Sequence, residues 1–143
     1  MHTEFKIIPH GSTEWKNAVQ LREDILRKPL GQSFTIEELE EERKHIQVVG
    51  IMNQDVVATA VLCPEGSNLK MQRVVVKNGI QSNGIGSKLM TYCEEYARNH
   101  KYTNMYCHAR DSAVAFYLKN SYIGDGEYFD EDGIPHLKMF KSI

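Results

Sequence analysis

The sequence predicts an α/β chain built on one mixed sheet with helices on its faces. Three observations point there. The 143 residues, 41% hydrophobic and 25% charged, have the size and composition of one globular domain, expected to span residues 1–143. Residues 45–77 hold three β-branched runs joined by short turns, the pattern of an antiparallel meander. The other strand-like runs alternate with segments of helical period, an order that a sheet carrying helices packs economically.

Residues 5–9 predict the first strand. Ser12 and Thr13 are cap-type residues, and Trp15, Ala18, Val19, Arg22, Ile25 and Leu26 follow on one helical face. Pro29 and Gly31 end that helix. Thr35 caps a short acidic helix over 35–43. Strands follow at 45–52, 55–63 and 69–77, turning at Asn53-Gln54 and over 64–67. A glycine-bearing loop at 79–86 opens a helix whose apolar stripe is Ile85, Leu89, Cys93, Tyr96 and Ala97. A strand at 105–110 precedes a helix capped by Asp111 or Ser112, with Ala113, Phe116 and Tyr117 on one face. Strands at 122–129 and 134–141 close the order β-α-α-β-β-β-α-β-α-β-β.

Composition narrows the function. Lys and Arg number 17 against 19 Asp and Glu, a net charge of −2, with no basic run. Proteins held to nucleic acid by phosphate neutralisation carry a basic excess, so nucleic acid is not the expected partner. The longest apolar run, 56–63, is far shorter than the ~18 residues of a membrane span, and residues 1–6 lack a basic-then-apolar leader pattern. Cys63, Cys93 and Cys107 form no CxxC pair. This predicts free thiols, a cytoplasmic location and no metal site.

The informative segment runs from Arg73 to Lys88: a strand, a loop with three glycines, then a helix. A helix start offers unpaired N–H groups and partial positive charge, and glycine lets the backbone approach a bulky anion. A phosphate or diphosphate suits such a place. Gly79 and Gly84 have the first spacing of a P-loop, but Ile85-Gly86 stands where Lys-Ser/Thr is required. A dinucleotide GxGxxG from Gly84 fails at Leu89. A glycine-rich turn without a ligand has the same spacing.

Gln81-Ser82-Asn83-Gly84-Ile85-Gly86 resembles the Q/R-x-x-G-x-G/A motif of the GNAT acyl-CoA N-acyltransferases. The segment Ala113-Val114-Ala115-Phe116-Tyr117-Leu118-Lys119-Asn120-Ser121-Tyr122 resembles the same family's A-x-x-F-Y-x-K-x-G-F segment, with Ser121 where glycine is usual. The element order fits over the whole chain. The resemblance implies acetyl-CoA as co-substrate. Its diphosphate would lie on Gln81, Ser82, Asn83, Gly84, Ile85, Gly86 and Ser87. Its pantetheine would run along the strand ending Val74-Val75-Val76, at a splay from the 105–110 strand.

Acyl transfer to an amine needs a deprotonated amine, a stabilised carbonyl oxygen and a protonated leaving thiolate. Tyr117 matches the family's general-acid tyrosine; read bare, it packs beside Phe116. The backbone N–H of Val75, or else of Val74, is expected to meet the oxygen. Among six histidines, His108 and His136 are the candidates for the base. A lone strand histidine is otherwise structural.

A closer resemblance involves three segments, residues 21–27, 107–110 and 133–139. They look like the GNAT branch that includes the glyphosate N-acetyltransferases. It implies His136 as base and Arg27, Arg73 and Arg110 as ligands of an anionic substrate. His108 stands where that branch has asparagine. It is a candidate substrate contact or second base.

Strand parity places Arg73 with Met71 and Val75, and Arg110 with Tyr106 and His108. Arg22 lies on the apolar face of its helix. It is either a substrate ligand or an ion-paired arginine. Arg27 is expected in a loop. Converging arginines imply a small amine that also carries an acid group, such as an amino acid or aminophosphonate. Five carboxylates in 124–132 offer a polyamine instead, or are a solvated hairpin. A protein or peptide N-acetyltransferase and a non-catalytic acyl-CoA-binding module are the other readings. The family resemblance also allows a homodimer.

Overall fold

In a computed structural model, residues 2–81 and 84–143 are described. The chain folds as β1 (Glu4–Ile8), α1 (Thr13–Arg22), α2 (Ile36–Glu41), β2 (Ile46–Met52), β3 (Asp55–Glu65) and β4 (Asn68–Val76). It continues as α3 (Ile85–Asn99), β5 (Asn104–Arg110), α4 (Val114–Lys119), β6 (Ile123–Glu131) and β7 (Ile134–Ser142). One seven-stranded sheet has the order β1-β2-β3-β4-β5-β7-β6. Among the described residues β4 and β5 pair in parallel and the other neighbours are antiparallel.

Helices cover both faces. Ala58, Ala60 and Leu62 of β3 join Leu89, Cys93 and Ala97 of α3 in the main core. On the opposite face Ile8 and Val49 pack with Ala18 of α1. β3 therefore reads as a near-continuous apolar run, since a strand covered twice loses the alternation of a half-exposed one. No helix among the described residues is long and apolar enough to cross a membrane.

Local chemistry sets the ends. Ser12 Oγ accepts from Trp15 N at 3.2 Å and starts α1. Thr35 and Glu38 form a reciprocal capping box on α2. Past Arg22 the first helix does not loop out. It loosens into a π turn over Glu23–Arg27, then tightens into a 3₁₀ turn over Lys28–Leu30 that ends at left-handed Gly31. Arg27 is thus helical, not in the expected loop. Neither Asp111 nor Ser112 caps α4. A 3₁₀ turn over Asp111–Ala113 leads into it, and Asp111 Oδ1 accepts only from Ser112 N.

The sheet opens at one place. β4 and β5 pair from Asn68↔Asn104 to Met71↔Cys107 and then part. The cause lies in β4: its register against β3 shifts between Thr59 and Val61, and Arg73 takes a positive φ of 56°. That bulge adds a residue on one edge and bends the strand. β5 stays with β7 as far as Arg110↔His136.

Candidate active site

The open edge leads into a cavity of about 890 Å³. The bulge decides which groups face it. Met71 belongs to the core beneath α3, whereas Arg73 turns to the α1–α2 side and meets Glu38 and Glu42. The parity expectation for Arg73 is corrected in part: the extra residue separates it from Met71, while Val75, opposite Thr59, stays on its side. Lys77 N donates to Val57 O at 2.8 Å, so Val75, two residues back, also directs its N–H to β3. Val74 and Val76 present theirs to the splay. Of the two N–H groups expected as oxyanion donors, that of Val74 faces the splay and that of Val75 faces β3.

At the mouth of α3, Gly84 is the N-cap at φ 75°, with no side-chain cap. Gly86 has a different reason: a Cβ there would lie 2.8 Å from the Phe116 ring. Gln81 Nε2 donates to Val76 O at 3.0 Å and to Asn78 Oδ1 at 3.1 Å, tying the loop to β4. Ile85 is buried and Ser87 half-buried. Ser82 and Asn83 lie outside the described residues. The first-turn N–H groups of α3, near a strand with a free edge, suit a diphosphate followed by an extended chain.

Tyr117 lines the cavity with its residue only 5% exposed. Burial, aided by the neighbouring Cys107 thiol, pushes its hydroxyl well above the ordinary range. Cys107 also lines the cavity, and burial pushes its thiol up to about 12. At neutral pH the phenol therefore keeps its proton and the thiol stays un-ionised.

His136 and His108 line the same cavity from β7 and β5. His136 Nδ1 lies 2.8 Å from Ile134 O. A carbonyl only accepts, so Nδ1 carries the hydrogen, and in the neutral ring Nε2 has the lone pair. Glu131 stands between the rings, with Oε2 3.5 Å from His136 Nε2 and Oε1 3.2 Å from His108 Nδ1.

The four arginines are not equivalent. Arg22 is 0% exposed and does not reach the cavity; its Nη1 donates to Glu42 Oε1 at 2.9 Å. The substrate role expected of it gives way to the ion-paired reading. Arg27, Arg73 and Arg110 do line the cavity. Arg27 forks onto Glu38 at 3.2 and 2.7 Å, and this pairing holds the Glu38 carboxyl down at about 2. Arg73 lies 3.6 Å from Glu38 and 3.4 Å from Glu42. The Phe34 ring lies under both, 4.2 Å from the Arg27 guanidinium and 4.7 Å from that of Arg73. Arg110 donates to Leu26 O at 3.0 Å and has no carboxylate partner among the described residues.

Several lining or supporting residues escaped the sequence reading: Phe34, Glu38, Glu42, Cys107 and Glu131. Only Glu38 carried a signal, three residues after Thr35, and that signal reads as a cap. Glu131 was one of five carboxylates in an acidic stretch whose periodicity does not separate solvent from cavity.

The model of the "Acetyltransferase (GNAT) domain" matches residues 19–143. The Bacillus subtilis protein YyaT, described as uncharacterized, is 31% identical over 78 residues, covering 54% of this chain and 53% of YyaT. The match thus spans about half of that relative's length. Escherichia coli ElaA is 27% identical over 111 residues, covering 75% of this chain and 71% of ElaA. The ElaA crystal structure superposes with a TM-score of 0.83 at 21% identity, over 98% of this chain and 99% of ElaA. An aminoglycoside 6'-N-acetyltransferase complexed with coenzyme A gives 0.82 at 16% identity, over 97% and 96% of the two chains. At these identities the two structures speak to the fold, while the family model speaks to descent. This chain belongs to the GNAT acetyltransferase family.

Proposed function

We propose that the chain, as one catalytic domain over residues 1–143, moves the acetyl group of acetyl-CoA to a primary amine. The acceptor is a small molecule that also carries an acid group, such as an amino acid or an aminophosphonate. One observation carries this reading: the β4–β5 splay opens onto a cavity lined by Tyr117, His136, Arg73 and Arg110 together. The first turn of α3 and the loop tied by Gln81 would hold the diphosphate. When bound, acetyl-CoA supplies the activated acyl group. We place the reaction in the cytoplasm.

The chain's own groups then divide the work. Arg110 and the free donors of Arg73 hold the acid group of the acceptor. His136 Nε2 takes a proton from the ammonium, leaving the amine a lone pair. The Val74 N–H donates to the carbonyl oxygen as charge gathers there. As the carbon–sulfur bond breaks, the Tyr117 hydroxyl gives its proton to the thiolate. The proton shed by the new amide nitrogen restores the phenol, and the proton on His136 returns to solvent.

A second reading has its own observation. Glu131 and Asp132, from the acidic hairpin, line the cavity as well, so a polyamine would find carboxylates there. Thiol release from acetyl-CoA, measured with the twenty amino acids, aminomethylphosphonate, putrescine and spermidine, decides between the two. Fastest turnover of an acid-bearing amine supports the arginine clamp. Preference for spermidine over every such amine sinks it.

A further inference from the structure

We propose that Glu131 is the positioning residue of the base: it faces His136 Nε2 and, once that nitrogen is protonated, holds the imidazolium in place and carries its counter-charge. The inference rests on the reading of His136 as the base. It goes beyond that reading by giving a role to a residue outside both motifs.

Three features converge on Glu131. Its two oxygens are divided between two rings, Oε2 facing His136 Nε2 and Oε1 accepting from His108 Nδ1. A carboxylate only accepts, so His108 is the donor in that contact and steadies the carboxylate rather than competing for the amine's proton. The second feature is the hairpin. Glu131 pairs with Ile134 across the Asp132-Gly133 turn, where φ is 56° and 74°. Ile134 is also the residue whose carbonyl fixes the His136 tautomer. One tight turn therefore fixes both the lone pair and the carboxylate facing it. The third is Phe129, whose ring lies edge-on to His108 at 5.1 Å and stacks near His136 at 6.0 Å. It restricts both imidazoles.

The chemistry supplies the need. When the amine N–H bond breaks and a bond to Nε2 forms, a cation appears in a cavity that already holds Arg27, Arg73, Arg110 and Lys70. Arg110 is the direct register partner of His136. Like charges oppose that cation. Glu38 and Glu42 are engaged with arginines; of the other two cavity carboxylates, Glu131 and Asp132, it is Glu131 whose oxygen lies 3.5 Å from Nε2. Its half-exposed oxygens give the proton a way out to solvent.

The test is a double-mutant cycle, Glu131→Gln with His136→Ala, followed by thiol release at pH 8. The acceptor is the amine of the panel above that wild type uses fastest. The expected results are a kcat about 10-fold lower for E131Q and about 100-fold lower for H136A. The KM for acetyl-CoA should stay within about twofold, and Glu131→Asp should recover all but about threefold of the loss. In the H136A background E131Q should change kcat by less than about twofold, since the positioned group is gone. Wild-type kcat in E131Q beside a slow H136A overturns the role of Glu131 and leaves His136 as base. Equal E131Q losses in both backgrounds also overturn it, as a merely structural effect. Wild-type kcat in H136A, or no thiol release by wild type with any amine, overturns the underlying reading and this inference with it.

Discussion

Arg22 Nη1 lies 2.9 Å from Glu42 Oε1, and the two side chains are 0% and 1% exposed. Burial lowers the guanidinium's hold on its proton, and the carboxylate offsets part of that effect. Glu42 also reaches Arg73 Nε at 3.4 Å, so one buried carboxylate anchors both a structural arginine and a cavity arginine. Removing one member of such a pair leaves an uncompensated buried charge. Glu42→Gln is expected to cost about 3–5 kcal/mol, read as a fall in the urea midpoint at unchanged slope. Replacing both members with Arg22→Met and Glu42→Leu should recover most of that loss. Equal instability in the double variant would show that packing, not charge, is what Glu42 supplies.

Glu38 gives a pH-dependent counterpart. Its hydrogen bonds from Arg27, with further help from the Thr35 backbone and the charges of Arg27 and Arg73, bring it from 4.5 to about 2. A carboxyl depressed on folding adds stability above its unfolded value and loses it as pH falls toward the folded one. Comparison of wild type with Glu38→Gln should therefore show a gap at pH 7. The gap should shrink below about pH 4.5 and vanish near pH 2. Because the side chain is about one-third exposed, solvent screening holds the gap to roughly 1–2 kcal/mol. Denaturant melts across that range check it; a gap constant with pH would mean the pair contributes nothing through its charge.

What could be read from the sequence follows from which signals are local. Strand runs and the Asn53-Gln54 turn, both residues at positive φ, are written in neighbouring residues. So is the glycine approach to α3, where Gly84 takes a left-handed φ of 75° at the N-cap. The bulge at Arg73 is not. Residues 70–77 contain neither glycine nor proline, and the kink arises from how β4 meets β3. Parity therefore grouped Arg73 with Met71, from which the bulge separates it. The pairing of Arg27 with Glu38 joins residues 11 apart through a helix end, and Glu131 meets His108 across 23 residues. No pattern within one element predicts such meetings, so the arginines looked freer in the sequence than they are in the fold.

Ser121 tests a departure visible from the start. It sits at φ 72° after α4, with Tyr122 N donating to Tyr117 O at 3.0 Å and Ser121 N to Leu118 O at 3.1 Å. Those two bonds are a Schellman ending, whose left-handed residue is usually glycine. A Cβ in that conformation costs roughly 1 kcal/mol. Ser121→Gly is expected to raise stability by about 0.5–1 kcal/mol, since glycine also loses more entropy on folding. Chemical denaturation measures it, and a fall in stability would mean the serine side chain earns its place there.

Tyr117 is the sharpest point on which structure and chemistry meet. Its ring packs edge-on to Phe116 at 5.1 Å and to Tyr122 at 5.6 Å, so Tyr117→Phe keeps the packing and deletes only the hydroxyl. The thiolate leaving acetyl-CoA would then lack its proton donor. The expected result is a kcat about 10- to 100-fold lower with the KM for acetyl-CoA within about twofold. A hydroxyl held well above its ordinary range by burial also gives no falling alkaline limb of its own up to about pH 9 in wild type. Steady-state kinetics from pH 6 to 9 on both proteins measures the two effects together. An unchanged kcat in Tyr117→Phe removes the acid role and leaves Tyr117 as a wall of the cavity, with solvent as the proton source.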